Sequence, residues 1–426
     1  MTPVITRSNT LDWLMQVAYT TFRLFQKNGL QNQAAATAFY FLLSTTPLLL
    51  LLSYALQGLA HLAETFAPAT MLLAALYDQL HLDVLTSMGF IPQRARLGAG
   101  GVGLLTLLLS SRGLVGAVQG AFRVIFPDEI KRRFVTRWAL PLIIIPVAFL
   151  LMGLAAVAQV ALNFFASVDL IGRDQAWLLK WLNFGFSLLI AWTLLFLAYW
   201  QMPRPRPPAR MAAVVALLSA TSLFILFASF SYFFKLERYQ SVYGALGGVV
   251  FILIGAYFAS LLFFIWAQLL FALTKVDVSA LEKLFVGHVR SQESKVEAYV
   301  FGRSNRLLDR YGQTFKAGDE LIHEGDFTKT SFLLFAGQVG IYKEIPGERK
   351  KLGQLKEGEL FGEMAYLLNE ARTATVLAET DVTALVLAPE LLEELMHYSA
   401  PLSRHIIDTL CQRLERMNQA MREKTS

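Results

Sequence analysis

Six long apolar stretches fill the first two thirds of the chain and constrain its fold more than any other feature. They run from Ala34 to Ala60, Leu97 to Phe122, Trp138 to Phe165, Trp181 to Met202, Met211 to Phe234 and Tyr243 to Thr274. Crossing the hydrocarbon layer takes about 20 apolar residues in a helix, because a backbone polar group left unpaired in lipid is costly. The pattern predicts an all-α six-helix transmembrane bundle over residues 34–275, preceded by a cytoplasmic N-terminal arm, 1–33. Between the first two stretches, segment 61–96 carries Ala67-Pro68 and an apolar run from Met71 to Leu76. Glu64, Asp78 and Asp83 interrupt it, so it reads as an external amphipathic or re-entrant element.

Charge divides the chain at the same place. Residues 1–275 hold 19 Lys and Arg against 9 Asp and Glu, whereas the shorter remainder holds 19 against 23. A hydrophobic share of 55% with only 16% charged residues excludes an ordinary soluble enzyme. The excess positive charge lies in short connections between apolar runs, which argues against a nucleic-acid partner and for a lipid bilayer. The basic connections are the N-terminal arm, Arg123 to Arg137, and Arg204 to Arg210, while the alternate connections are acidic or nearly balanced. Since Lys and Arg stay on the cytoplasmic side, the expected topology is a multi-pass protein of the inner (plasma) membrane with both termini cytoplasmic. The first 33 residues lack the compact apolar core of a cleaved leader, and none is expected. Cys411 is the lone cysteine, so neither an internal disulfide nor a metal-binding cysteine cluster is expected.

Inside the apolar stretches, Arg112 stands about 10 residues from the basic end of the second run, or roughly 15 Å at helical rise. Buried at that depth it would face a cavity, a partner or an anion path. If the helix instead ends near Ser111, Arg112 is merely interfacial. Gly244 and Gly248 have the GxxxG spacing that lets helices approach closely. Pro47, after Ser44, Thr45 and Thr46, suggests a kink or a gate.

The stretches Ala34 to Leu52, Ser111 to Leu114 with the basic loop that follows, and Tyr243 to Tyr257 resemble the membrane core of the YihY/virulence factor BrkB family, once labelled ribonuclease BN-like. The resemblance covers about residues 20–275 and implies a six-helix inner-membrane protein, with transport often supposed. Where that family tends to carry a Gly-Ala-Glu ending in its last span, this chain has Trp266-Ala267-Gln268.

Beyond residue 275 the pattern changes. Residues 276–311 read as a charged amphipathic helical linker, and from 312 short β-type runs alternate with glycine turns, predicting a cytosolic β-roll or jelly roll over 312–426. Helices follow at Pro389 to His397 and Pro401 to Met421. Ile406, Leu410, Leu414, Met417 and Met421 form a stripe on the latter that can close over the roll or pair with a second subunit as a homo-oligomer.

The sharpest motif is FGEMAYLLNEARTATV, Phe361 to Val376. Gly362 joins a strand end to a short helix, and the chain returns through Arg372 into a strand. The amides of Met364 and Ala365 at the helix start suit an anionic oxygen. Arg372 offers a planar fork to a phosphate, and Glu363 can accept from a sugar hydroxyl. Small Ala365, Ala371 and Ala374 leave room for a ligand. The motif resembles the phosphate-binding cassette of cyclic nucleotide-binding domains, a likeness extending from about Tyr311 to Met421. It implies that Glu363 binds the ribose 2′-hydroxyl, Arg372 the cyclic phosphate, and the Met364 and Ala365 amides its oxygens. Thr373 stands where cyclic-GMP-selective domains often have Thr, so cAMP and cGMP both remain open as the regulatory ligand.

The resulting expectation is a transporter or permeability factor regulated by a cyclic nucleotide, with no metal. A ribonuclease-like enzyme and a cyclic-nucleotide-gated channel are the alternatives. The six histidines form no HExxH or HxHxDH cluster, there is no GxSxG elbow, and no potassium-type filter appears.

Overall fold

A computed structural model describes residues 9–44, 112–127, 176–203, 206–233, 246–289, 300–301, 305–345, 348–399, 402–404, 406–408 and 411. The expected elements at 61–96 and 138–165, Pro47 and Gly244, and most of the final helix lie outside these residues. The chain divides into two compact units, Thr21–Thr274 and a second comprising Met1–Thr20 with Lys275–Ser426.

The N-terminal arm contains a helix that the sequence reading did not assign. α1 (Asn9–Lys27) has Asp12 in its first turn and Lys27 in its last, signs that complement the helix dipole. It closes at Gly29, whose φ of 59° supplies the left-handed residue that commonly ends a helix. A second helix, α2, follows over 30–44, and α3 covers 112–125. Arg112 is helical and exposed, and it is the first described residue of α3; the rest of the second apolar stretch, 97–111, on which its depth depends, lies outside the described residues. α2 and α3 lie antiparallel: Gly113 faces Tyr40, Gly120 faces Gln33, and the Asn28 amide reaches the Val124 carbonyl. A Cβ on Gly113 would come within 2.4 Å of the Tyr40 ring, so glycine lets these helices meet.

The fourth to sixth apolar stretches form α4 (Ala176–Gln201), α5 (Ala209–Phe233) and α6 (Leu246–Val289). Among the described residues these three are long and apolar enough to span a membrane. Trp181, Leu189, Ile225 and Phe227 are exposed, as suits side chains in lipid, which gives no drive to hide them. Polar groups pair across the helices instead: Tyr199 Oη lies 2.9 Å from Ser219 Oγ and 3.0 Å from the Phe263 carbonyl, and Trp266 donates to Ser222 at 2.8 Å. Gly255 lies beneath the Phe230 ring, consistent with a packing role for the small residues of α6. α6 departs from helical geometry at Lys275 (φ −121°, ψ 15°) before continuing to Val289.

In the C-terminal unit, α7 (Asn305–Tyr311) leads into eight strands among the described residues: β1 (Gly312–Phe315), β2 (Glu320–Ile322), β3 (Ser331–Ala336), β4 (Val339–Ile345), β5 (Glu348–Leu355), β6 (Leu360–Phe361), β7 (Thr375–Ala378) and β8 (Val382–Leu387). They form two antiparallel four-stranded sheets, β1-β8-β3-β6 and β2-β7-β4-β5. α8 (Glu363–Leu367) interrupts the path from β6 to β7, and α9 (Pro389–Tyr398) follows β8. Successive strand residues point to opposite faces, which explains why the first four residues of SFLLFA are all buried. Phe332 and Leu334 join Ile322, Phe361, Val376 and Ala384 in the roll interior. Leu333, with Leu385 and Leu387, faces the helices instead, packing with Leu281, Leu307, Leu392 and Leu395. Leu402 and Ile406 belong to that same helical layer, so the start of the apolar stripe packs within the domain.

Candidate functional site

Gly362 sets the geometry of the cassette. It is the N-cap of α8 with φ 79°, and a Cβ there would stand 2.9 Å from Arg372 Nη1, 3.0 Å from Ile322 Cδ1 and 3.1 Å from the Thr330 carbonyl. Both the backbone conformation and the space thus require glycine. Immediately after it, the chain turns into α8, whose first turn includes Met364 and Ala365 and has no side-chain cap. The leading N–H groups of a helix have no carbonyl within it to receive them, so this turn can present donors to an anion.

Arg372 returns to the same point from the other side. Its backbone N–H donates to the Asp326 carbonyl at 2.8 Å, and its carbonyl accepts from Gly325 at 2.9 Å, tying the cassette to the Glu324-Gly325-Asp326 turn. The side chain is only 5% exposed. Nε donates to Thr328 Oγ1 at 3.1 Å, Nη1 to the Gly362 carbonyl at 2.5 Å, and Nη2 to the Thr330 carbonyl. A guanidinium has five N–H groups, so these three bonds leave one on each terminal nitrogen that could donate to an anion. Burial pulls the Arg372 pKa below its ordinary value, while the Asp326 and Glu363 carboxylates oppose that shift. Glu363 is itself 3% exposed, so a buried acid and a buried guanidinium flank the Gly362 turn.

Ala365 is buried, and Ala371 and Ala374 are half-buried. Thr373 is exposed, and its carbonyl receives the Lys343 ammonium at 2.9 Å. Lys343 also binds Glu324 at 2.5 Å, and this bond, followed by one from the Glu344 N–H, holds the Glu324 carboxyl below its usual range. These braces, like Thr328 and Thr330, escaped sequence reasoning; only the glycine turn at 324–326 marked their neighbourhood. Among the described residues no group of His, Cys, Asp and Glu could hold a metal.

A second constellation without a sequence signal sits where α6 enters the C-terminal unit. Lys275 pairs with Glu394 of α9 and lies 4.9 Å from the centre of the Tyr398 ring. Two residues on, the Asp277 carboxylate accepts from Arg306 at 2.5 Å, Arg310 at 2.6 Å and the Tyr311 hydroxyl at 3.1 Å. Burial, then Asp277, raises the Tyr311 pKa. The C-terminal end of α6 is thereby fastened to the helices on both flanks of the β-roll. Arg112, on α3 in the other unit, is exposed and is not part of either constellation.

The two-sheet roll with its helix-interrupted cassette defines the class: residues 312–399 match the cyclic nucleotide-binding domain. The chain as a whole belongs to the virulence factor BrkB family, whose match covers residues 21–284. It is thus a membrane protein of that family carrying a cyclic nucleotide-binding domain. Two curated relatives match a short part of the chain. A cAMP-dependent protein kinase regulatory subunit of Hypocrea atroviridis is 37% identical over 84 residues, 20% of this chain and 17% of that protein. Cyclic GMP-binding protein C of Dictyostelium discoideum is 40% identical over 77 residues, 16% of this chain and 3% of that one. The solved catabolite activator protein of Thermus thermophilus is 24% identical, covering 28% of this chain and 56% of its own, with a TM-score of 0.26. The chain therefore spans less than a fifth of either of these curated relatives.

Proposed function

We propose that the protein is a multi-pass inner-membrane transporter or permeability factor, without enzymatic activity, whose bundle is regulated by cAMP or cGMP. The observation that carries the reading is the placement of buried Glu363 and Arg372 on either side of Gly362, with two guanidinium N–H groups left to receive a phosphate. In this assignment Arg372 and the Met364 and Ala365 amides hold the cyclic phosphate, Glu363 accepts from the ribose 2′-hydroxyl, and Thr373 stands beside the base. The charge pattern of the connections supports six spans with both termini in the cytoplasm. The distal part of the apolar stripe, from Leu410 onward, is the surface assigned to a second subunit.

Regulation requires that the ligand bind one state of the protein better than the other. The contacts of Lys275 and Asp277 supply the route, because a shift of α9 or α7 on ligand binding pulls directly on the end of the last span. The test is flux through vesicles containing the full chain, with and without cAMP or cGMP, beside a binding titration of each. Ligand-dependent flux that Arg372→Ala abolishes is the expected result. Binding without any effect on flux would remove the regulatory role, and absence of binding by either nucleotide would remove the ligand assignment.

A further inference from the structure

The tryptophans of α4 mark two levels. Trp177 and Trp181, near its start, are 60% and 64% exposed, and Trp200 stands next to its last residue. Trp200 follows Trp181 by 19 positions, about 28 Å at helical rise, close to the roughly 30 Å of the hydrocarbon layer. Indole rings favour the level where acyl chains meet headgroups, so the spacing sets Trp200 at a membrane boundary. The chain beyond it agrees: residues 202–211, MPRPRPPARM, hold three arginines, and the sequence from 176 to 234 contains no Asp or Glu.

Arg206 comes back over Trp200, its guanidinium carbon 5.1 Å from the ring centre. Trp200 in turn ends a ladder of stacked rings along α4, with Phe196 on Trp200 at 5.8 Å and Trp192 on Phe196 at 5.9 Å. These residues recur every fourth position and share one face of the helix, where all three are half-buried. Trp192 donates its indole N–H to the Ala213 carbonyl of α5 at 2.9 Å. By contrast, the Trp200 indole N–H meets no acceptor among the described residues, and exposed Arg206 meets no carboxylate there. A guanidinium and an indole N–H thus share one small patch with their donors unused. The ring stack holds Trp200, the cation–π contact holds Arg206, and Pro207 and Pro208 directly after it each lock a backbone φ, so the donors are held in place before any partner arrives.

We infer that Arg206 and Trp200 form a binding site for the headgroup of an anionic phospholipid, with an acyl chain lying along Phe196 and Trp192. The guanidinium donates to the phosphate, whose oxygens suit its planar fork, and the indole N–H donates to a second headgroup oxygen. Charge complementarity selects the partner: the patch is cationic within a sequence that offers no acid, and anionic headgroups supply the missing charge at the level that the tryptophan spacing sets. A soluble phosphate has no chain for the aromatic face to receive. The site goes beyond the regulatory reading and needs neither transport nor a cyclic nucleotide.

The experiment is native mass spectrometry of the full chain released from detergent, titrated with phosphatidylglycerol or phosphatidylcholine of the same acyl length. We expect the wild type to retain phosphatidylglycerol about fivefold more tightly, as one arginine at an anionic surface implies. Arg206→Gln and Trp200→Leu should each remove most of that preference. Arg123→Gln, which takes an equal charge from an exposed site in another basic connection, should leave it intact. Equal retention of the two lipids by the wild type, or an equal loss on Arg123→Gln, overturns the site. A competition with glycerol phosphate needs no variant: displacement of phosphatidylglycerol at equal concentration would assign the donors to a soluble phosphate and overturn the lipid assignment, and failure to displace it supports the lipid.

Discussion

Removing the Arg372 side chain tests the cassette at its most connected point. Arg372→Ala deletes three donors and leaves the carbonyls of Gly362 and Thr330, and the Thr328 hydroxyl, without that partner. Hydrogen bonds to a charged donor are worth about 1.5–3 kcal/mol each, but deleting the side chain also relieves the cost of burying the cation. We therefore expect a net loss of about 2–4 kcal/mol of domain stability, a fall of roughly 10 °C in melting midpoint. Ligand affinity suffers separately. Losing a charge-assisted grip on phosphate of about 1.5–3 kcal/mol weakens binding about 10–150-fold. Arg372→Lys keeps the charge without the planar fork, and should recover only part of either loss. The assay is calorimetric titration with cAMP and cGMP, beside thermal unfolding of each variant. A folded Arg372→Ala protein that binds either nucleotide within twofold of wild type would refute the assignment of Arg372 to the phosphate.

Three further outcomes are expected. Gly362→Ala forces a Cβ into the left-handed region, costing about 1–2 kcal/mol, and pushes it against Arg372 Nη1; both stability and nucleotide affinity should fall, as melting and titration will show. Lys275→Ala or Glu394→Ala should leave nucleotide binding within about twofold while reducing the effect of nucleotide on flux, because the ion pair lies away from the cassette. Glu324 has a depressed folded-state pKa, so its pairing stabilises the domain above the unfolded carboxylate value of about 4.3 and is lost as pH falls through the folded value. Glu324→Gln should consequently narrow the stability gap from wild type in urea unfolding as the pH is lowered from 7 to 3, and a gap that stayed constant would contradict the pairing.

Much of the architecture was legible because it follows from short-range regularities. Long apolar runs must become helices in lipid, so α4, α5 and α6 fall where composition places them. Glycine punctuation and β-rich runs marked the roll, and the Glu363 to Arg372 spacing marked the cassette. The α1 helix was missed because its charges, Arg23 and Lys27 among them, obscured a periodicity that only its buried Val17 and Phe25 reveal. The partners of Arg372 were hidden for a different reason: two are backbone carbonyls, which carry no residue-specific signal.

By itself, the sequence determined that the chain must place its first part in a membrane and end in a nucleotide-binding roll, since hydrophobic length and motif spacing are local properties. Only the tertiary structure decided that Lys275 and Asp277 fasten α6 to α9 and α7, and that Asn28 donates to Gln268. Those relations join residues from about 30 to 240 positions apart, and pairing at such range is fixed by how helices and sheets pack, which no spacing rule encodes.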